Sequence, residues 1–416
     1  MDGIPSATSS SSSHQQGNQT TVNALAHDLV QISLLDLVFV IDSTGSMGAY
    51  ILRAQQTIQS IVEEIVSKEK ADVRFALVAY RDHPPEDTTF VTKVYDFTSS
   101  VSRMKANLLE LSAQGGGDEP EAVVDGLYDA CKLEYRPGAT KICILIADAP
   151  PHGLITFGDH FPEGCPCQLD PMVVCRQMVE KGIILYCIGC EPSLSPYKEF
   201  FMALCFLTGG QYCPLSDASV LSQVVVGGVA EEISLERIMG DVRAELASER
   251  CQAMSEEEQA KFVQEQLQTR GVKVKQLQVE GGDTDALAVT PQAVALSALP
   301  NLYEVKHNFS PANAPSVPFP SFGGSVMAAS ARAAPLHMLA KEEEKDGIPR
   351  DYDSFESSGY APRHALSFAA IMPAAAPSLS TSSPTLAPPS SYKVGEGVVS
   401  FSQAARLVSR SKGQSG

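Results

Sequence analysis

Asp42, Thr44 and Ser46 place a carboxylate and two hydroxyls at alternate positions of the run Asp42-Ser43-Thr44-Gly45-Ser46-Met47. Alternate spacing lets one tight loop aim three oxygens at a single point. Three hard oxygen donors, with no thiolate or imidazole among them, suit Mg²⁺ or Mn²⁺ rather than zinc. The same residue types also cap helices, and Asp42, Ser43 or Thr44 would each suit the start of a helix near Tyr50. Asp148 shifts the balance between these readings. The apolar run Leu34–Ile41 ends in Asp42, and a second apolar run, Lys141–Ala147, ends in Asp148. Two acids carried by different strands to one edge are what a metal site needs, whereas a capping residue need not recur there.

Other residues in the chain carry weaker chemistry. His152, His160, Cys165, Cys167 and Cys175 lie in or near the long stretch after Asp148. Zinc at Cys165 and Cys167 is one reading of them. The Cys-Pro-Cys spacing is tighter than the usual separation of zinc cysteines, which favours a loop closed by packing. Cys187-Ile188-Gly189-Cys190 matches C-x-x-C but sits in a strand, whose alternation sends the two thiols to opposite faces. A redox pair would start a helix instead. Ser43 and Ser46 have no histidine placed beside them, although His83 and His152 fall on loops at the same edge. No activated nucleophile is thereby defined, and the chain reads as non-catalytic.

The elements that must position these groups alternate along the chain. Strands are expected at Leu34–Ile41, Val73–Tyr80, Val91–Phe97, Lys141–Ala147, Ile183–Cys190 and Gln211–Leu215. Helices are expected between them, the first over Tyr50–Ser67 with Ile51, Ala54, Ile58, Ile61, Val62 and Ile65 on one face. Asp118-Glu119-Pro120-Glu121 is expected to open a helix reaching Lys132, with its acids and proline in the first turn. A long helix is expected from Ala218 to Glu245. Strands that are apolar on both faces and separated by helices predict an α/β fold with a doubly wound, mostly parallel sheet. Ligands of such sheets bind outside the carboxyl ends of the strands.

The 416 residues are enough for one large domain and further segments, and 44% are apolar, enough for a packed core. Residues 306–416 carry ten Lys/Arg against eight Asp/Glu, so the first 305 carry 21 against 41. An acidic body argues against nucleic acid and favours cations and basic partner surfaces. No run of 18 apolar residues occurs, so no membrane span is expected. Residues 1–25 are Ser-, Gln- and Thr-rich with no basic start followed by an apolar segment, so they read as a disordered tail rather than a signal peptide. The protein is then expected in the cytoplasm with its ten cysteines reduced. Residues 246–309 read as a small mixed appendage, and 310–416 as a Pro/Ala/Ser-rich disordered tail. Within that tail, Val398–Ser409 is weakly amphipathic and basic, either a short docking helix or a fraying end.

With these elements placed, residues 32–245 resemble the von Willebrand factor type A domain, a doubly wound fold with a metal-ion-dependent adhesion site. That family opens on D-x-S-x-S or D-x-T-x-S, which here is Asp42-Ser43-Thr44-Gly45-Ser46. The resemblance implies metal ligands at Asp42, Thr44, Ser46 and Asp148. It also implies one from a second loop, where Asp118-Glu119-Pro120-Glu121 looks like the Asp-Ser-Pro-Glu of integrin β-subunit domains. Glu121 is the position that carries over, with Asp118 as the fallback. Phe75–Pro85, Ala147–Gly153 and Gly164-Cys165-Pro166-Cys167 look most like the domains that accompany alpha-type protein kinases. No kinase domain is seen in the Pro/Ala/Ser-rich remainder. The resemblance implies a Mg²⁺- or Mn²⁺-dependent adaptor that captures an acidic side chain of a partner protein. A regulatory relative of alpha-type kinases, acting with a catalytic subunit on another chain, is the alternative.

Overall fold

The computed structural model describes residues 33–281, 287–311 and 391–413. The expectations for residues 1–25 and for 312–390 lie outside them. Six strands form one sheet: β1 (Ser33–Asp42), β2 (Ala71–Tyr80), β3 (Thr92–Thr98), β4 (Thr140–Ala147), β5 (Ile183–Cys190) and β6 (Gln211–Leu215). Their order is β3-β2-β1-β4-β5-β6, all parallel except the edge strand β3. The order reverses between β1 and β4, so the switch point of the sheet lies where Asp42 and Asp148 emerge.

Strand alternation divides the apolar side chains between two cores. Leu35, Leu37, Phe39 and Ile41 face one layer, which holds α1 (Gly48–Glu69), α2 (Val101–Leu109) and the later helix Leu221–Glu236. Val38 and Val40 face the other, which holds α3 (Val123–Lys132), α4 (Pro171–Glu180) and α5 (Lys198–Leu207). The expected face of the first helix is the buried one: Ile51, Ala54, Ile58, Ile61, Val62 and Ile65 are all in the first core. Cys187 and Cys190 fall in opposite cores, as alternation requires.

Two helix expectations are corrected. The helix after the triple glycine starts at Val123, not at Asp118. Glu121 is held in an extended bridge to Pro151, with its N–H donated to Pro150 O at 2.9 Å, which removes it from any helical turn. The long helix expected over Ala218–Glu245 is also broken. It contains α6 (Leu221–Glu236) and, after a bend, α7 (Met239–Leu246). The stretch Ala218–Glu236 has the length and hydropathy of a membrane span, but 78% of its window is buried inside the fold.

The segments after α7 belong to the same compact unit as the sheet. They are α8 (Glu249–Gln252), α9 (Glu256–Thr269), β7 (Lys273–Val279), α10 (Pro291–Ser297), α11 (Leu302–Asn308), β8 (Tyr392–Val398) and α12 (Phe401–Gly413). Residues 246–309 are therefore not a separate appendage: Ala293, Leu296, Leu302 and Val305 are buried in the second core.

Composition assigned residues 310–416 to a disordered tail, but 391–413 form a strand and a helix. β8 pairs antiparallel with β7 from Lys273↔Val398 to Val279↔Tyr392. Val399, Ala404, Leu407 and Val408 close a third apolar cluster with Val242, Val263 and Leu267. Arg406 and Arg410 are 2% and 5% exposed and pair with buried Glu232 of α6, so the basic stretch that could have been a fraying end is packed into the fold. Arg406 also reaches Glu231 Oε1 at 3.1 Å, Gln211 Oε1 at 2.7 Å and the Tyr186 hydroxyl at 2.8 Å.

Candidate metal centre at the carboxyl edge of the sheet

Asp42 is the last residue of β1 itself, in register with Tyr80, and it is fully buried. One carboxylate oxygen accepts from Thr44 N at 2.8 Å and Thr44 Oγ1 at 2.6 Å. The Thr44 and Ser46 hydroxyls lie 3.4 Å apart. Ser43, between them, turns away and donates to Tyr80 O at 2.8 Å, fastening the loop to β2. The alternate spacing thus works as expected, with odd and even side chains taking different tasks. The helix-cap reading is not what forms: neither Thr44 nor Met47 makes a side-chain cap at the start of the helical turns that follow.

Glu121 arrives from the loop before α3 and is 5% exposed. Gly116 makes room for it with φ +83°, where an added Cβ would stand 2.5 Å from Glu121 Oε1 and 3.3 Å from Thr44 Cβ. Asp148 follows β4 directly. Asp42 Oδ2, Glu121 Oε2 and Asp148 Oδ1 are buried oxygens without a hydrogen-bond partner. Burial and then the charge of Asp148 push the Asp42 carboxyl up to about 7. Burial and the charges of Asp42, Asp82, Asp118 and Asp148 push Glu121 up to about 10. Burial raises Asp148 as well, offset in part by a hydrogen bond with Ser46. Three carboxyls that resist ionisation together, each with a buried unpaired oxygen, fit a hard divalent cation as their missing partner.

Asp118, the fallback ligand, lies in a different group. Its Oδ2 accepts from His160 N at 2.7 Å, and its acid atom clusters with those of Asp82 and His152. His152 is clamped on both sides, Nε2 to Asp82 Oδ1 at 2.7 Å and Nδ1 to Asp159 Oδ1 at 2.9 Å. Against the opposing effect of burial, these two acids raise its imidazole to about 9. His160 bonds Glu86 Oε1 at 2.7 Å. Cys175 is buried in the second core. His152, His160 and Cys175 therefore do not join Cys165 and Cys167, whose metal-capable neighbours are His83 and Asp125.

Asp82, Asp125 and Asp159 were not singled out from the sequence. A signal existed for one of them: Asp125 is the lone charge in the apolar stretch Ala122–Leu127.

Residues 36–154 match the family described as the von Willebrand factor A domain. The chain carries a von Willebrand factor A domain. The alpha-protein kinase vwkA of Dictyostelium discoideum is 33% identical over 135 residues, which cover 32% of this chain and 21% of that one. The von Willebrand factor A domain-containing protein 7 of Mus musculus is 33% identical over 120 residues, covering 29% and 12%. A von Willebrand factor type A structure from Catenulispora acidiphila aligns at 18% identity with a TM-score of 0.37, covering 49% of this chain and 43% of that one. The chain spans about a fifth or less of the length of these curated relatives. Asp42, Thr44, Ser46, Glu121 and Asp148 all lie inside the matched von Willebrand factor A domain.

Proposed function

We propose that this von Willebrand factor A domain is a protein-interaction module whose partner capture depends on a divalent cation, Mg²⁺ or Mn²⁺. The observation that carries the reading is the set of buried, unpartnered carboxylate oxygens on Asp42, Glu121 and Asp148, with the Thr44 and Ser46 hydroxyls on the same loop as Asp42. Those five residues would hold the cation. When bound, it supplies a Lewis-acidic position that an acidic side chain of a partner protein can occupy. The residues of this chain do the rest. Asp42 orients Thr44, Ser43 anchors the loop to β2, and the backbone of Glu121 is tied to Pro150 beyond β4. The domain acts without catalysis of its own, in a reducing compartment such as the cytoplasm; its ten cysteines are all unpaired.

The test is capture of partners from a lysate by the full chain with Mg²⁺, with EDTA, and by the Asp42→Ala variant. Proteins retained only with Mg²⁺ and only by the parent support the reading. Equal retention in all three arms rejects it. Glu121→Gln should weaken Mg²⁺ binding in calorimetry far more than Asp118→Asn, and the reverse order would move the second-loop ligand to Asp118.

A second reading rests on the similarity to vwkA. In it the domain regulates an alpha-type kinase subunit on another chain. A phosphorylation assay on the isolated chain, alone and mixed with such a subunit, separates the two.

A further inference from the structure

We propose that His83, Asp125, Cys165 and Cys167 bind one Zn²⁺ that fastens the loop between β4 and α4 to the carboxyl edge of the sheet. The site is separate from the all-oxygen centre. It mixes two thiols, an imidazole and a carboxylate, a donor set that suits zinc and not magnesium.

The ligand atoms are already gathered at the spacing of one metal's coordination shell. His83 Nε2 and Asp125 Oδ2 are 3.0 Å apart, Cys165 Sγ and His83 Nε2 are 3.6 Å apart, and Cys165 Sγ and Asp125 Oδ2 are 3.2 Å apart. Ordinary zinc bond lengths give tetrahedral edges of about 3.3–3.8 Å between such atoms. All four ligand atoms lie within 4.8 Å of one another. His83, Asp125 and Cys165 are buried, whereas Cys167 is exposed, so an ion can enter from its side.

The ligands come from three separate parts of the chain. His83 follows β2, Asp125 lies in the first turn of α3, and the cysteines belong to a stretch without helix or strand from Asp148 to Asp170. A loop of that length inside a compact domain needs an internal tie. Cys167 N donates to Cys165 Sγ at 3.2 Å, which folds the Cys-Pro-Cys turn back on the first sulfur. Asp125 Oδ2, buried, is met by both the His83 ring and the Cys165 thiol. His83 N in turn donates to Asp82 Oδ1, which holds His152, so the site is joined to the acidic edge through one residue. Loading is not a redox step. Zn²⁺ takes two thiolates, one neutral imidazole and one carboxylate, and the two thiol protons pass to solvent.

The experiment is Co²⁺ and Zn²⁺ loading of the metal-stripped full chain, followed by absorption spectroscopy and metal analysis. One Co²⁺ with a thiolate-to-metal charge-transfer band and intense tetrahedral bands is expected, displaced by Zn²⁺. The band should persist in Asp42→Ala, because the oxygen centre has no sulfur. It should be lost in Cys167→Ser, a change at an exposed position that leaves the core intact, and in His83→Ala. A folded parent without a thiolate band overturns the proposal, as does a band that Cys167→Ser leaves unchanged. A chain two mass units lighter that binds no metal would show a Cys165–Cys167 disulfide instead, and would overturn it too.

Discussion

Asp42 carries two opposed tasks: it accepts two hydrogen bonds from Thr44 on one oxygen and leaves the other buried and bare. Asp42→Asn keeps the first and removes the charge. Its expected outcome is loss of the calorimetric Mg²⁺ signal together with a metal-free melting temperature no lower than the parent's above about pH 7, where burial and Asp148 disfavour the parent carboxylate. The same balance makes Mg²⁺ affinity fall as pH drops through about 7, because a proton then competes for Asp42. Titrations at two pH values on either side check the sign. Gly116→Ala should also weaken Mg²⁺ binding in a folded protein, since φ is +83° there and the new methyl would displace Glu121. His152 behaves oppositely to the acids. Its imidazole is raised to about 9 by Asp159 and Asp82 despite burial. The stability it contributes is fully present below its ordinary value near 6.5 and is lost as pH rises through about 9. Melting curves across that window should show the loss, and His152→Gln should flatten it.

At the scale of elements, α12 tests how buried charge supports the fold. Arg406→Met leaves Glu231 and Glu232 with one cation fewer inside the protein, and breaking a buried pair in this way costs about 3–5 kcal/mol. Urea unfolding of the variant checks the figure. A chain ending at residue 390 would lose β8 and α12 together and should melt well below the parent. The reason such an element escaped the sequence reading is visible in Arg406: its partner Glu232 lies 174 positions away, in a different helix. The Pro/Ala/Ser average over residues 310–416 concealed 23 residues of different character. The central strands were legible because each carries its own local pattern. The oxygen set from Asp42 to Ser46, and Asp148 after β4, were legible for the same reason. His83, Asp125 and Cys165 meet only through the topology of the sheet, which no local spacing encodes.

Across the whole molecule, the sheet order 3-2-1-4-5-6 brings loops distant in sequence to one edge, where oxygen donors and sulfur donors occupy adjoining positions. The opposite side of the unit is closed by its last residues, with β8 on β7 and α12 against α6 and α9. This closure has a consequence for biosynthesis. While the ribosome makes the roughly 100 residues between α11 and the end of α12, at about 5–20 residues per second, Glu232 waits without its arginines for roughly 5–20 s. The nascent domain therefore emerges with its sheet assembled and one flank open, and it acquires full stability only once α12 has cleared the exit tunnel. Ribosome-stalled chains ending before residue 391 should accordingly be cut by protease within α6 and α9, and chains extended past residue 413 by a linker as long as the exit tunnel should not.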